Sequence, residues 1–166
     1  VGVARGMTTM FMLNYLEEIN DTKTKIYALD TFNSFEKKDL EYEVENRNKI
    51  KEDVEGFSYI DYKSWSRNFK KHPRVNPIIA DCSIYDYSNL PLIKFVLLDV
   101  DLYLPTKNAL PKIYDKLCNN GSILLDDIKQ GVTYDGAYQA FTEFISDKKL
   151  GFKKIGTKGA LITKKI

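Results

Sequence analysis

Two apolar runs that each end in a pair of acids constrain this chain most. Residues 95–101 read FVLLDVD and residues 122–127 read SILLDD, with a helix-length stretch between them. Nearly unbroken apolar runs of this length suit strands covered on both faces, as in a parallel sheet with helical crossovers. In an open α/β sheet, ligands bind beyond the carboxyl ends of the strands. Asp99, Asp101, Asp126 and Asp127 are therefore expected at a binding rim. Carboxylates crowded together repel one another unless a cation or protons intervene. Hard cations such as magnesium prefer oxygen ligands and keep waters and substrate oxygens. The set thus points to a metal site, with solvated strand-end acids as the alternative. Asp99 and Asp101 share a face only if the strand continues that far. Asp126 and Asp127 reach one ion only across a turn.

The rest of the chain fits the same architecture. Residues 1–3 read as the tail of a strand, which predicts a preceding N-terminal piece. A helix is expected over 7–19, with Thr8 and Thr9 placed to cap free amides. Residues 25–29 form a strand ending at Asp30, and 75–80 another ending at Asp81. The span 38–55 is highly charged and predicts an exposed helix, and 58–71 a short strand followed by a helix. A helix over 104–119 is expected to stop at Asn119-Asn120-Gly121. A helix over 134–147 turns Ala137, Ala140, Phe141 and Phe144 inward. Residues 152–155 and 160–163, joined across 156–159, predict a closing hairpin. The expected fold is α/β and Rossmann-like: a doubly wound, mostly parallel sheet with a C-terminal antiparallel hairpin. One domain over 1–166 is expected, with 37–71 as its insertion or lid.

Three weaker signals stand in the order a nucleoside-containing cofactor requires. Gly2 and Gly6 form a glycine-bearing turn before a helix whose free amides face outward. An unliganded tight turn explains two glycines as well, and the three-glycine dinucleotide pattern is absent. Asp30 ends the second strand, where an acid accepts hydrogen bonds from ribose hydroxyls. Asp81 ends the third, at the expected adenine edge, and a turn-capping role is its alternative. Tyr103, Tyr134, Tyr138 and Trp65 suit either a substrate pocket or the core. His72, beside two lysines, reads as exposed.

A net charge of +2 across 166 residues is too small to imply a polyanionic partner, so nucleic acid is not expected. Cys82 and Cys118 form neither a disulfide framework nor a metal pattern. With no spanning run and no signal-peptide pattern, the reading is a cytoplasmic protein without a membrane partner. Assembly as a homo-oligomer is left open.

At VGVARG (1–6), IYALDTFNSF (26–35), DVDLYLPTKNALPKIYDKLCNNGSILLDDI (99–128) and GAYQAFTEF (136–144), the chain resembles the macrocin O-methyltransferase family of class I, S-adenosylmethionine-dependent enzymes. The resemblance implies the seven-stranded methyltransferase sheet. It implies that Gly2 and Gly6 face the methionine part of the cofactor, with Asp30 and Thr31 at its ribose. Asp81, Cys82 and Ser83 would meet the adenine. Asp99, Asp126 and Asp127 would hold a magnesium ion, and Asp101 would stand behind them. Asp99 would also line the cofactor site and act as general base. Three departures stand against it: no acidic residue precedes the first strand, the substrate-covering N-terminal segment is missing, and Ile128-Lys129 replaces the usual aromatic-glycine pair. The expected activity is magnesium-dependent O-methylation of a small-molecule hydroxyl, with a sugar-containing acceptor. The alternatives are methylation of nucleic acid or protein, or a non-catalytic cofactor-binding module.

Overall fold

The computed structural model describes residues 1–59 and 61–165. Its elements are α1 (Met7–Glu18), β1 (Ile26–Asp30), α2 (Lys37–Arg47), α3 (Lys51–Val54), α4 (Tyr62–Phe69), β2 (Val75–Ile79), β3 (Ile93–Leu98), α5 (Tyr103–Lys116), β4 (Leu117–Leu125), α6 (Gly136–Lys148), β5 (Lys153–Ile155) and β6 (Gly159–Thr163). β1 and β2 pair in parallel, and so do β3 and β4. β6 runs antiparallel between β4 and β5, closing the expected hairpin.

The six strands form a two-stranded and a four-stranded sheet. Residues 1–3 lie between them. The Gly2 amide donates to the Leu29 carbonyl at 3.0 Å, and the Asp99 amide to the Val1 carbonyl at 3.0 Å. The Val1 nitrogen donates to Leu97. The seventh strand expected at 1–3 is therefore an irregular bridge. Positive φ at Gly2 (71°) and Ala4 (44°) breaks the extended geometry that a ladder needs.

The main core sits where α5 and α6 cover β3, β4 and β6. Leu98, Ile123, Leu125 and Ile162 from the strands meet Leu110 and Ile113 of α5 and Phe141 of α6, all nearly solvent-free. Burial of each such side chain stabilises by about 1.5–3 kcal/mol. The inward face expected for α6 is formed by Ala137, Ala140, Phe141 and Phe144. A smaller core beyond β1 packs Leu13, Ala28, Phe32, Trp65 and Phe69. No helix among the described residues is long and apolar enough to cross a membrane.

Four local expectations are corrected. α1 starts at Gly6 in the left-handed conformation with no side-chain cap, and Thr9 is buried instead. The charged span 38–55 is two helices, and it is not simply exposed. Asp39, Glu43 and Val54 are buried, because α2 lies against the start of α5. No strand forms among the described residues of 58–71 (Ile60 lies outside them). Asn119-Asn120-Gly121 falls inside β4, where the register with β3 slips between Ile93 and Phe95. A Cβ on Gly121 would lie 2.8 Å from the Ile93 carbonyl, so that sequence serves a bulge and not a helix stop.

Candidate cofactor cleft and acidic site

A cleft opens at the carboxyl ends of β1, β2 and β3. Gly2, Asp30, Thr31, Asp81, Cys82 and Asp99 all line it, as expected. Gly2 is there for a steric reason. A Cβ at this position would lie 1.7 Å from the Asp99 carbonyl oxygen. Only glycine lets residues 1–3 pass between β1 and β3 at that distance. Gly6 is not in the lining. Its missing side chain makes room for the Phe69 ring, 2.5 Å from where a Cβ would be. The expectation that Gly6 faces the cofactor is therefore corrected: it seats α1 on the smaller core. Ser83 is likewise absent from the lining and is buried behind Asp81.

The acids at the cleft are held by backbone amides. Asp30 accepts from Val3 at 2.7 Å, Ala4 at 3.3 Å and Phe32 at 2.8 Å, which ties the glycine turn to the end of β1. Asp81 accepts from Lys38 Nζ at 2.5 Å and from the Ser83 amide at 2.8 Å. Burial alone would raise Asp81, but those two bonds hold it below the usual carboxylate range. Burial, with the Asp81 charge adding, pushes the Cys82 thiol up to about 12. Cys82 is thus a neutral, unreactive wall.

Next to this cleft, carboxylate oxygens of Asp99, Asp101 and Asp127 lie within 4.8 Å of one another. Two backbone reversals bring them together. Asp101 has φ 60° and Asp127 φ 57°, the left-handed region that aspartate tolerates better than most residues. Asp126 continues the ladder, its amide donating to Leu98 at 3.1 Å, and only then does the chain turn. The grouping differs from the expected Asp99, Asp126 and Asp127: Asp101 joins it, and Asp126 stays outside. The strand does not continue to Asp101, so its side chain is placed by the left-handed turn and not by strand alternation.

Burial, then the Asp126 and Asp127 charges, pushes Asp99 up to about 6. Burial and the adjoining Asp127 push Asp101 up further. Lys158, from the turn of the closing hairpin, puts Nζ 2.9 Å from Asp126 and 2.8 Å from Asp127. Partial burial would lower this lysine, but the two carboxylates raise it above its ordinary value. An ammonium thus stands where a divalent cation would find negative charge. Nothing in Gly156-Thr157-Lys158-Gly159 marks that role beyond the hairpin itself.

Aromatic side chains flank the acids. Phe57 lies against Phe35, Tyr59 and Tyr134, and Phe35 against Tyr134, with ring centroids 5.3 to 6.4 Å apart. Burial, with the Asp101 and Asp127 charges adding, raises Tyr134. Trp65 and Tyr103 are core residues instead. Trp65 stacks on Phe69, and Tyr103 stacks on Tyr42.

The macrocin O-methyltransferase family model matches residues 1–155. The chain belongs to this family. Its members are S-adenosylmethionine-dependent O-methyltransferases. Among solved structures, the chain is similar to the O-methyltransferase NovP, with a TM-score of 0.77 and 17% identity over 100% of this chain and 70% of that one. It is also similar to the calicheamicin methyltransferase CalS11, at 0.75 and 16% over 98% and 69%. CalS11 is described as a TDP-rhamnose 3′-O-methyltransferase. A putative rRNA methylase from Clostridium thermocellum shares the fold at 0.59 and 16% over 99% and 85%. No curated protein sequence matches the chain.

Proposed function

We propose that this methyltransferase transfers a methyl group to a sugar hydroxyl with a magnesium ion held by its acidic group. Residues 1–166 would form one catalytic domain, with 37–71 as the lid. The observation that carries the reading is the Asp99, Asp101 and Asp127 group at the edge of the cofactor cleft. The donor set fits the metal: all oxygen, with the Lys158 ammonium already drawn to one of the three carboxylates, Asp127. Magnesium bound there would lower the pKa of an acceptor hydroxyl and fix its direction.

The chain's own residues divide the remaining work. Asp30 and Thr31 would hold the ribose, and Asp81 and Cys82 would border the adenine. Gly2 keeps the backbone close to Asp99, so the reacting atoms share one short span of chain. Asp99 would take the acceptor hydroxyl's proton on a carboxylate oxygen, and the cofactor would supply the methyl, its sulfur keeping the electron pair of the broken carbon–sulfur bond to leave a neutral thioether. Phe35, Phe57 and Tyr134, whose rings stand at 45° to 84° to one another, would supply an apolar wall with a polar edge, which suits a sugar ring. The sugar class draws support from the resemblance to CalS11.

Titration calorimetry with S-adenosylhomocysteine, with and without magnesium, tests this reading. Binding is expected in both cases, and tighter with the ion. Binding indifferent to magnesium would remove the metal from the proposal. Lys158→Met is expected to raise affinity for manganese, read by paramagnetic resonance, by roughly five-fold, because one partly exposed competing charge is worth about 1 kcal/mol. A drop in affinity would instead make Lys158 an organiser of the carboxylates.

A further inference from the structure

Asp39 is the buried acid for which neither the fold nor the cleft assignments account. It lies in the first turn of α2, 3% exposed, and lines the cleft. Its Oδ1 is buried without a hydrogen-bond partner. The neighbouring acids are already engaged: Asp81 by Lys38 and the Ser83 amide, Asp30 by three backbone amides. A buried acceptor left unpaired is costly, and on a side chain that lines a ligand cleft it calls for a donor arriving with the ligand. Burial and then the Asp81 charge push Asp39 up to about 6, so it is mostly ionised, an acceptor, at neutral pH.

Its place in the fold narrows the donor. α2 is pinned at one end by Lys38 to Asp81, beyond β2, and further along by Glu43 to the Tyr103 amide, at the start of α5. Asp39 therefore lies over the part of the cleft bordered by Ala80, Asp81, Cys82 and Pro105. In the proposed cofactor orientation, that part takes the adenine. The exocyclic amine of adenine is a neutral donor at the purine's edge. It would satisfy Oδ1 without bringing a second charge into the site.

We propose that Asp39 accepts a hydrogen bond from the exocyclic amine of the cofactor's adenine, which makes α2 a cofactor-binding element as well as a cover. The inference rests on the cofactor orientation given above. Its test is calorimetric titration of the wild type and Asp39→Asn with S-adenosylhomocysteine and with S-inosylhomocysteine, which carries a carbonyl oxygen in place of the amine. The wild type is expected to prefer the adenosyl ligand by about tenfold or more. In Asp39→Asn that preference should shrink below about threefold or reverse, because an asparagine amide can face the carbonyl. Ligand-free Asp39→Asn should melt at or above the wild-type temperature, since the change removes an unpaired buried charge. An adenosyl preference unchanged by the substitution overturns the assignment, and so does a melting temperature that falls along with affinity for both ligands. Asp39→Ala repeats the comparison if the asparagine variant fails to fold. Failure of the wild type to bind S-adenosylhomocysteine would instead remove the cofactor orientation itself.

Discussion

Asp99→Asn lowers methyl transfer by about 10²–10⁴-fold, the usual range for losing a positioned general base. The rate is read as S-adenosylhomocysteine released with a panel of sugar acceptors. The substitution keeps shape and removes charge, so Gly2 still packs on the Asp99 carbonyl and the cleft persists. The same substitution should stabilise the metal-free protein at neutral pH. Asp99 is raised from 3.8 to about 6 by burial, Asp126 and Asp127. The folded state thus holds the proton more tightly than the unfolded state. Between about pH 4 and 6 stability falls as pH rises, and above that range the whole penalty is present. A shift of this size corresponds to at most about 3 kcal/mol. In chelator, the variant should melt above the wild type at pH 7 and with it at pH 4. A variant that keeps the wild-type rate would show that Asp99 is neither base nor ligand.

That pairing of lost activity with gained stability follows from how the site is built. Three carboxylates are forced together by two left-handed turns, Asp101 and Asp127, and are only partly neutralised by Lys158. Evidence of crowding was visible in the sequence, because apolar runs ending in acids mark strand ends at one edge of a sheet. The membership was not. Whether Asp101 or Asp126 joins Asp99 depends on a φ angle, and aspartate permits either sign. Lys158 was hidden for a different reason: antiparallel closure by β6 brings a turn 31 residues away onto Asp127. Strand and helix positions were legible wherever one apolar face decided them, as in α6 and β3. They were not in 37–55, where charge suggested an exposed helix. Its buried residues are an aspartate, a glutamate and a single valine, and the glutamate's partner on α5 lies 60 residues away.

Glu43→Ala is expected to cost about 3–5 kcal/mol, because it removes the one buried carboxylate that serves both a buried guanidinium and a buried backbone amide. Glu43 is 1% exposed. Its Oε1 accepts from the Tyr103 amide at 2.7 Å, satisfying a free donor at the start of α5. Its Oε2 accepts from Arg47 Nε at 2.7 Å. Arg47 also reaches Asp135 at 2.6 Å, which Lys49 meets at 2.7 Å. This network joins α2 to the starts of α5 and α6, directly after Asp101. Pairing does not make it a net source of stability, since desolvating both charges offsets much of their attraction. The cost of the single substitution arises because Arg47 and the Tyr103 amide stay buried with one partner fewer. For a chain of this length the melting temperature should fall by roughly 6–20 °C. Glu43→Gln keeps an acceptor for Tyr103 and should cost only about 1–3 kcal/mol. Adding Arg47→Met to Glu43→Ala should recover part of the loss, because the stranded charge is gone. Denaturant unfolding of the three variants measures this order. If Glu43→Ala unfolds within about 1 kcal/mol of the wild type, α2 is not anchored through Glu43. The cleft's cover would then move independently of the acidic turn beneath it.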